Sequence, residues 1–167
     1  ICEDGWSPHI AGELKKAGAT LLLQMNASPF TQTRYEERLI EASKRVRETG
    51  LPMLSVYSVG VQDELIFDGG SFVMDASLCL LAEGAHFEED CVRGLIEGKG
   101  RVTARHPRMP VMSMVERTYK ALVQGVREYV HGTGFERVIV GVSGGIDSAL
   151  VAAIAVDSLG AQNVVGV

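Results

Sequence analysis

The chain has 167 residues, 46% apolar and 22% charged, with a formal net charge of −5. That length holds one ordinary domain or two small ones, and the composition is that of a soluble globular protein. No basic cluster builds a nucleic-acid footprint, no apolar run nears the roughly 20 residues that span a bilayer, and no basic-then-apolar leader opens the chain, so neither a nucleic acid nor a membrane is expected as a partner.

Three cysteines, Cys2, Cys79 and Cys91, are an odd number for a disulfide framework and match no zinc spacing. A reducing cytoplasm and no protein-held metal are expected. The chain opens without Met on Ile1-Cys2, which reads as a strand end, and closes on Val164-Val165-Gly166-Val167, which reads as a strand begun. Natural domains seldom start and stop inside sheet elements, because a lone strand leaves backbone groups unpaired. The expectation is a piece of a longer protein.

Ser7-Pro8 is a helix cap followed by a first-turn proline, and Ala17-Gly18 closes that helix. Residues 20–25 form an apolar run that reads as a buried strand, and Asn26-Ala27-Ser28-Pro29 is turn chemistry. Thr33 with Glu36 reads as a capping box opening a charged helix that runs to Thr49, with Gly50 as its stop. A strand follows over 53–59. Strands over 64–67 and 71–74 flank Asp68-Gly69-Gly70, a hairpin signal, and 78–81 would close the meander. Residues 86–110 turn acidic, then Gly-rich, then basic with two prolines, and read as a linker with a solvated face. Ser113 with Glu116 is a second capping box. Behind it Val115, Tyr119, Leu122, Val123, Val126, Tyr129 and Val130 make one apolar stripe expected to face a core. A strand over 138–142, a helix over 147–159 capped by Gly160 and a final strand complete a parallel strand–helix–strand unit.

Between that strand and helix lies Ser143-Gly144-Gly145-Ile146-Asp147-Ser148. A phosphate site needs backbone N–H groups aimed at one spot, and glycine lets the chain bend and approach without a Cβ clash. The helix start adds the positive end of its dipole, and Ser143 and Ser148 add hydroxyl donors. The string is neither the Walker pattern nor the dinucleotide fingerprint. A bare Gly-Gly turn would suit a simple helix cap equally well. The whole string closely resembles the signature of the PP-loop ATP pyrophosphatases, which implies adenylation of a carboxylate with release of pyrophosphate.

Cys2 alone would read as a small buried hydrophobe. Its setting in Ile1-Cys2-Glu3-Asp4-Gly5-Trp6-Ser7-Pro8 puts a thiol on a strand-to-helix turn, where helix N–H groups can favour the thiolate and hold an oxyanion. That stretch resembles the nucleophile elbow of nitrilase-type amidases. Asn26-Ala27-Ser28-Pro29-Phe30, the helix with Arg34 and Arg38, and residues 62–71 look like later landmarks of the same amidase. Joined to Tyr119-Lys120-Ala121-Leu122-Val123 and the 143–148 loop, the series resembles one family, the glutamine-dependent NAD synthetases, in collinear order over essentially the whole chain.

The resemblance implies an α/β fold: the C-terminal half of a nitrilase-like α-β-β-α sandwich over 1–88, a linker over 89–111, and from 112–167 the start of a doubly wound, parallel PP-loop domain. It implies Cys2 as nucleophile, Ser28 and Arg34 holding the amino-acid end of glutamine, Glu3 and Trp6 lining the same pocket, and Gly141, Val142, Ser143, Gly144, Gly145, Ile146, Asp147 and Ser148 holding ATP. Ammonia freed from glutamine would travel inside the protein to adenylated nicotinic acid adenine dinucleotide and give NAD. ATP is the implied co-substrate, with Mg2+ accompanying it, and a homo-oligomer is the expected assembly. The family's Glu base and Lys precede the cysteine. Tyr57 and Val61 stand where the family commonly has Asn and Gly. Two other readings remain open: a different PP-loop amidotransferase, making GMP or asparagine, and a non-catalytic remnant.

Overall fold

The computed structural model describes residues 1–104 and 112–167, the side chain of Lys99 excepted. These fall into two compact units. One holds residues 1–59 and the described residues from Phe67 to Ala104; the other holds 60–66 and 112–167.

In the first unit a 3₁₀ turn (Cys2–Trp6) leads into α1 (Pro8–Lys16), β1 (Leu22–Asn26), α2 (Arg34–Thr49) and β2 (Met53–Tyr57). Later strands are β5 (Phe72–Met74), β6 (Leu80–Glu83), β7 (Gly94–Glu97) and β8 (Arg101–Ala104). A mixed sheet has the order β1-β2-β5-β6. β1 and β2 run parallel with Leu22 opposite Met53 and Asn26 opposite Tyr57; β5 is antiparallel to both its neighbours.

One sheet face takes the helices: Ala11, Leu22, Ala42, Val46, Met53, Tyr57, Phe72 and Met74 form a continuous core. The other face is covered at β5 and β6, where Val73 and Ala82 meet Val102 of β8. Residues 20–25 were expected to be a buried strand, but Leu23 and Met25 are more than half exposed. A strand with helices on one face alternates in and out. Gly50, at φ +67, stops α2 in the left-handed conformation that lets its N–H reach the Val46 carbonyl.

Three local expectations change. Thr33 caps α2 by position, but its hydroxyl goes to the Glu37 carboxylate at 2.7 Å and gives no side-chain cap to the backbone. Strand 53–59 divides at Ser58, and β3 (Val59–Gln62) pairs with β4 (Leu65–Asp68). Asp68-Gly69-Gly70 therefore joins strands of different sheets; the tight turn sits at Asp63, with φ +53. The left-handed glycines predict a sharp bend and say nothing of which strands pair. The stretch expected as a linker contains the antiparallel β7–β8 ribbon, with Val102 buried; the end of that stretch, with Pro107 and Pro110, lies outside the described residues.

In the second unit, α3 (Met114–Gly132) precedes β9 (Val138–Val140), α4 (Ile146–Leu159) and β10 (Val164–Gly166), and β9 and β10 are parallel. Ser113 caps α3 by accepting from the Glu116 N–H at 3.2 Å. Val123 and Val130 of the expected stripe pack inward, whereas Val115, Leu122 and Tyr129, seven residues apart, are exposed. Polar atoms join the two helices. Ser158 donates to the Val123 carbonyl at 2.9 Å, Arg127 to the Ser158 carbonyl at 3.1 Å, and Tyr119 to Asp157 at 2.6 Å. The tip of the β3–β4 ribbon packs here as well: the Val61 N–H donates to Glu128 at 2.7 Å. Among the described residues no helix is long and apolar enough to cross a membrane.

Ser158 is buried, and its hydroxyl bridges α4 to α3. Ser158→Ala should lower the unfolding free energy of the intact protein by about 0.5–1.5 kcal/mol, the net value of one such bond. Chemical denaturation measures it, and an unchanged midpoint would contradict the packing described.

Candidate functional site

Cys2 opens its 3₁₀ turn with φ +51, the left-handed region that a residue with a Cβ seldom occupies. The turn is held from outside. Gln24 of β1 donates to the Cys2 carbonyl at 2.8 Å, and Arg45 of α2 donates to the Trp6 carbonyl at 3.1 Å. Arg34 lies over the Trp6 ring at 5.6 Å and pairs with Glu37 at 3.0 Å. So Trp6 and Arg34 are brought together, Cys2 is fastened to β1, and Glu3 stands exposed on the turn. The α-helix with Pro8 at its first turn begins six residues past Cys2, so the backbone N–H groups beside the thiol belong to the 3₁₀ turn.

Ser28 is reached by a different arginine. Arg38 Nη2 donates to the Ser28 carbonyl at 2.7 Å and to Asp68 Oδ1 at 2.8 Å, and Nη1 donates to the Gly69 carbonyl at 3.3 Å. Its guanidinium stacks 4.4 Å from the centre of the Tyr57 ring. Behind Asp68 stands His86, with Nδ1 at 3.6 Å from Asp68 Oδ2, an ion-pair distance too long for a hydrogen bond, and Nε2 at 2.9 Å from Glu83. Gly70 is required here: at φ +71, a Cβ would lie 2.4 Å from the His86 ring.

These groups shift each other's protonation. Burial alone would raise the Asp68 pKa, but contact with His86 and Arg38 outweighs it and holds the carboxyl below the ordinary carboxylate range. Burial alone would lower His86, but Asp68 and Glu83 outweigh it and hold the imidazole above its ordinary value. Burial pushes the Tyr57 hydroxyl up to about 12 against the opposing pull of Arg38.

Arg38 and Asp68 lie in stretches singled out as landmarks, but their pairing, and the part of Glu83 and His86 in it, escape a reading by motif, because each has an ordinary interpretation alone. A helical wheel holds the signal. Arg38 and Arg45 fall on one stripe with Ala42, Val46 and Thr49, all buried, and an arginine inside a buried stripe demands a buried acceptor.

In the second unit, residues 141–145 form an exposed loop between β9 and α4, and Ile146 and Asp147, also exposed, open the helix. Gly144 has φ +86, and a Cβ on it or on Gly141 would meet nothing within 4 Å; on Gly145 it would meet only Ser143 Oγ, at 3.6 Å. The glycines thus keep space open beside the start of a 14-residue helix. Ser148 Oγ donates to the Gly145 carbonyl at 3.0 Å and accepts from the Ser143 N–H at 3.2 Å, closing the loop on itself. Asp147 offers a carboxylate in the first turn.

Comparison with known proteins agrees over both units. The NAD synthase family model matches residues 118–167. The chain is 42% identical to the glutamine-dependent NAD(+) synthetase of Rhodobacter capsulatus, over 98% of this chain and 30% of that protein. It is 35% identical to that of Synechocystis, over 100% of this chain and 32% of that protein. Among solved structures, the glutamine-dependent NAD+ synthetase from Acinetobacter baumannii in complex with adenosine diphosphate superposes with a TM-score of 0.93 at 35% identity, over 99% of this chain and 32% of that one. The chain spans about a third of the length of these relatives.

The buried cluster sets a pH signature. Asp68, with a lowered pKa, contributes stability above its unfolded value of about 4, lost as pH falls through the folded value. His86, with a raised pKa, contributes below its unfolded value of about 6.5, lost as pH rises through the folded value. Asp68→Asn in the intact protein should cost about 3–5 kcal/mol near pH 6, and the gap from wild type should shrink on acidification. His86→Gln should narrow its gap on the alkaline side. Urea midpoints across pH test both; gaps independent of pH would contradict the cluster.

Proposed function

The chain belongs to the family of glutamine-dependent NAD synthetases, and from that premise we propose that it supplies two parts of one catalyst: a thiol that frees ammonia from glutamine, and a loop that holds ATP while nicotinic acid adenine dinucleotide is activated. Its fold is the family's, a nitrilase-like α/β layer followed by the start of the NAD synthase domain. The observation that carries the reading is the match to the Synechocystis protein over 100% of the chain, a span that includes both Cys2 and residues 141–148.

At the first centre the Cys2 thiolate attacks the side-chain amide carbonyl of glutamine. Ammonia leaves, and water cleaves the thioester to glutamate. The strained turn carries the half-buried thiol, and backbone N–H groups of the same turn are candidates to hold the oxyanion. Arg34, stacked on Trp6, is the group for the glutamine α-carboxylate, which suits a forked donor. Ser28 and Glu3 are assigned to the amino-acid end and the rim of that pocket.

At the second centre the nicotinate carboxylate attacks the α-phosphorus of ATP and pyrophosphate departs; ammonia then attacks the adenylate carbonyl and AMP departs. The N–H groups of residues 144–147 and the start of α4 are assigned to the departing charge, and the hydroxyls of Ser143 and Ser148, which close the loop on itself in the free protein, are assigned to turn to it when ATP binds. Mg2+ would arrive on the phosphates of ATP, keeping several of its waters, with Asp147 in the first turn of α4 as the protein carboxylate to hold it.

In the intact protein, Cys2→Ala should abolish glutamine-driven NAD synthesis and spare synthesis from ammonium, because only the first centre uses a side chain of the protein as nucleophile. Loss of both activities in a folded variant, or retention of both, would count against the assignment. At the other centre, Ser148→Ala should lower ATP–pyrophosphate exchange by about 10–1000-fold, scaled from the loss of an oxyanion-type donor. Gly145→Val should do at least as much by filling space the fold leaves open. Wild-type exchange in either folded variant would sink the nucleotide site.

A further inference from the structure

Resting on the glutaminase reading, we propose that Arg38 is a positioning residue for glutamine: it fixes the turn over residues 26–30, and with it Ser28, by tying that turn to the loop at Asp68 and Gly69. The turn leaves β1 at Asn26 and has no ladder bonds of its own beyond that strand. Arg38 supplies them, with one nitrogen shared between the Ser28 carbonyl at 2.7 Å and Asp68 at 2.8 Å, and another on the Gly69 carbonyl at 3.3 Å. Arg38 takes the carbonyl of Ser28, so it holds that residue through the backbone.

The far end of the turn is fastened to the same place. Phe30 meets Phe87 edge to face with ring centroids 5.7 Å apart, and the Phe87 N–H donates to the Asp68 carbonyl at 2.9 Å. Asp68 therefore anchors both ends, one through its carboxylate and one through its backbone. His86 braces the carboxylate from behind.

A buried ion pair is a poor way to gain stability, since an apolar pair of the same volume often does as well. What it supplies is direction. A planar fork can hold three oxygens from two loops while its face rests on Tyr57 at 4.4 Å. A lysine ammonium, a point charge on a flexible stem, cannot reproduce that geometry. Arg38 thus acts through Ser28 and need not touch glutamine.

The test uses the intact protein and two variants, Arg38→Lys and Phe87→Ala, which loosen opposite ends of the turn. Both should raise the KM for glutamine, by about 10–100-fold for Arg38→Lys, the range for lost charge-assisted bonds, and by less for Phe87→Ala. The kcat at saturating glutamine and the ammonium-driven rate should change little. A folded Arg38→Lys protein with wild-type KM for glutamine would overturn the proposal, as would equal loss of glutamine-driven and ammonium-driven synthesis. If Arg38→Lys does not fold, Phe87→Ala decides, and an unchanged KM there overturns it. A wild-type protein unable to use glutamine at all would overturn the glutaminase reading itself, an outcome distinguishable from the others.

Discussion

Arg38 and Asp68 face each other at 2.8 Å with side chains 1% exposed. Removing two such charges from water costs several kcal/mol per ion, recovered only when geometry is good and the remaining donors are satisfied. That requirement constrains everything around the pair. The Nη donors of Arg38 need carbonyls, which the turn after β1 and the loop after β4 supply, while its buried Nε makes no hydrogen bond to the described residues. Asp68 needs a second cation, and His86 stands 3.6 Å behind it. Gly70 must lack a side chain so that the His86 ring fits. One buried pair therefore fixes the relative placement of three loops at one end of the sheet.

The same helix supports the cysteine. Arg45 and Arg34 of α2 reach the carbonyl and ring of Trp6, at the end of the turn that Cys2 begins. A residue held at φ +51 persists only where its surroundings over-determine it, and here Gln24 grips one side of the turn and α2 the other. The loop of the second unit follows another logic. Its conformation comes from its own serines and glycines, and it leaves space open at a helix start, where phosphate charge is favoured. The two proposed sites thus share no described residue.

What was legible in the sequence was encoded by neighbours along the chain. The Gly50 stop, the Ser113 cap, the strand–helix–strand unit and the loop at 141–148 are each written within a few residues. Pairings between distant segments were not. Asp68-Gly69-Gly70 announces a bend, yet β4 pairs back to β3 and β5 joins β2 and β6, because strand partners are chosen by faces buried far away in sequence. The β7–β8 ribbon was hidden in a charged, Gly-rich stretch whose inward residue, Val102, finds its contacts on β5 and β6. Arg38 and Asp68 lay in stretches the sequence singled out, but their joining with Glu83 and His86 was hidden for the same reason: burial turns four ordinary side chains, distant along the chain, into one electrostatic unit.

The central claim is that nitrogen released at a thiol centre is the nitrogen incorporated at an ATP centre of the same protein. Glutamine labelled with nitrogen-15 at its side-chain amide, supplied to the intact protein with ATP and nicotinic acid adenine dinucleotide, tests it directly by mass spectrometry of the product. The expected product is NAD carrying the label in its carboxamide, with one AMP and one pyrophosphate formed per NAD. Unlabelled NAD, or labelled ammonium released with no labelled NAD, would contradict it.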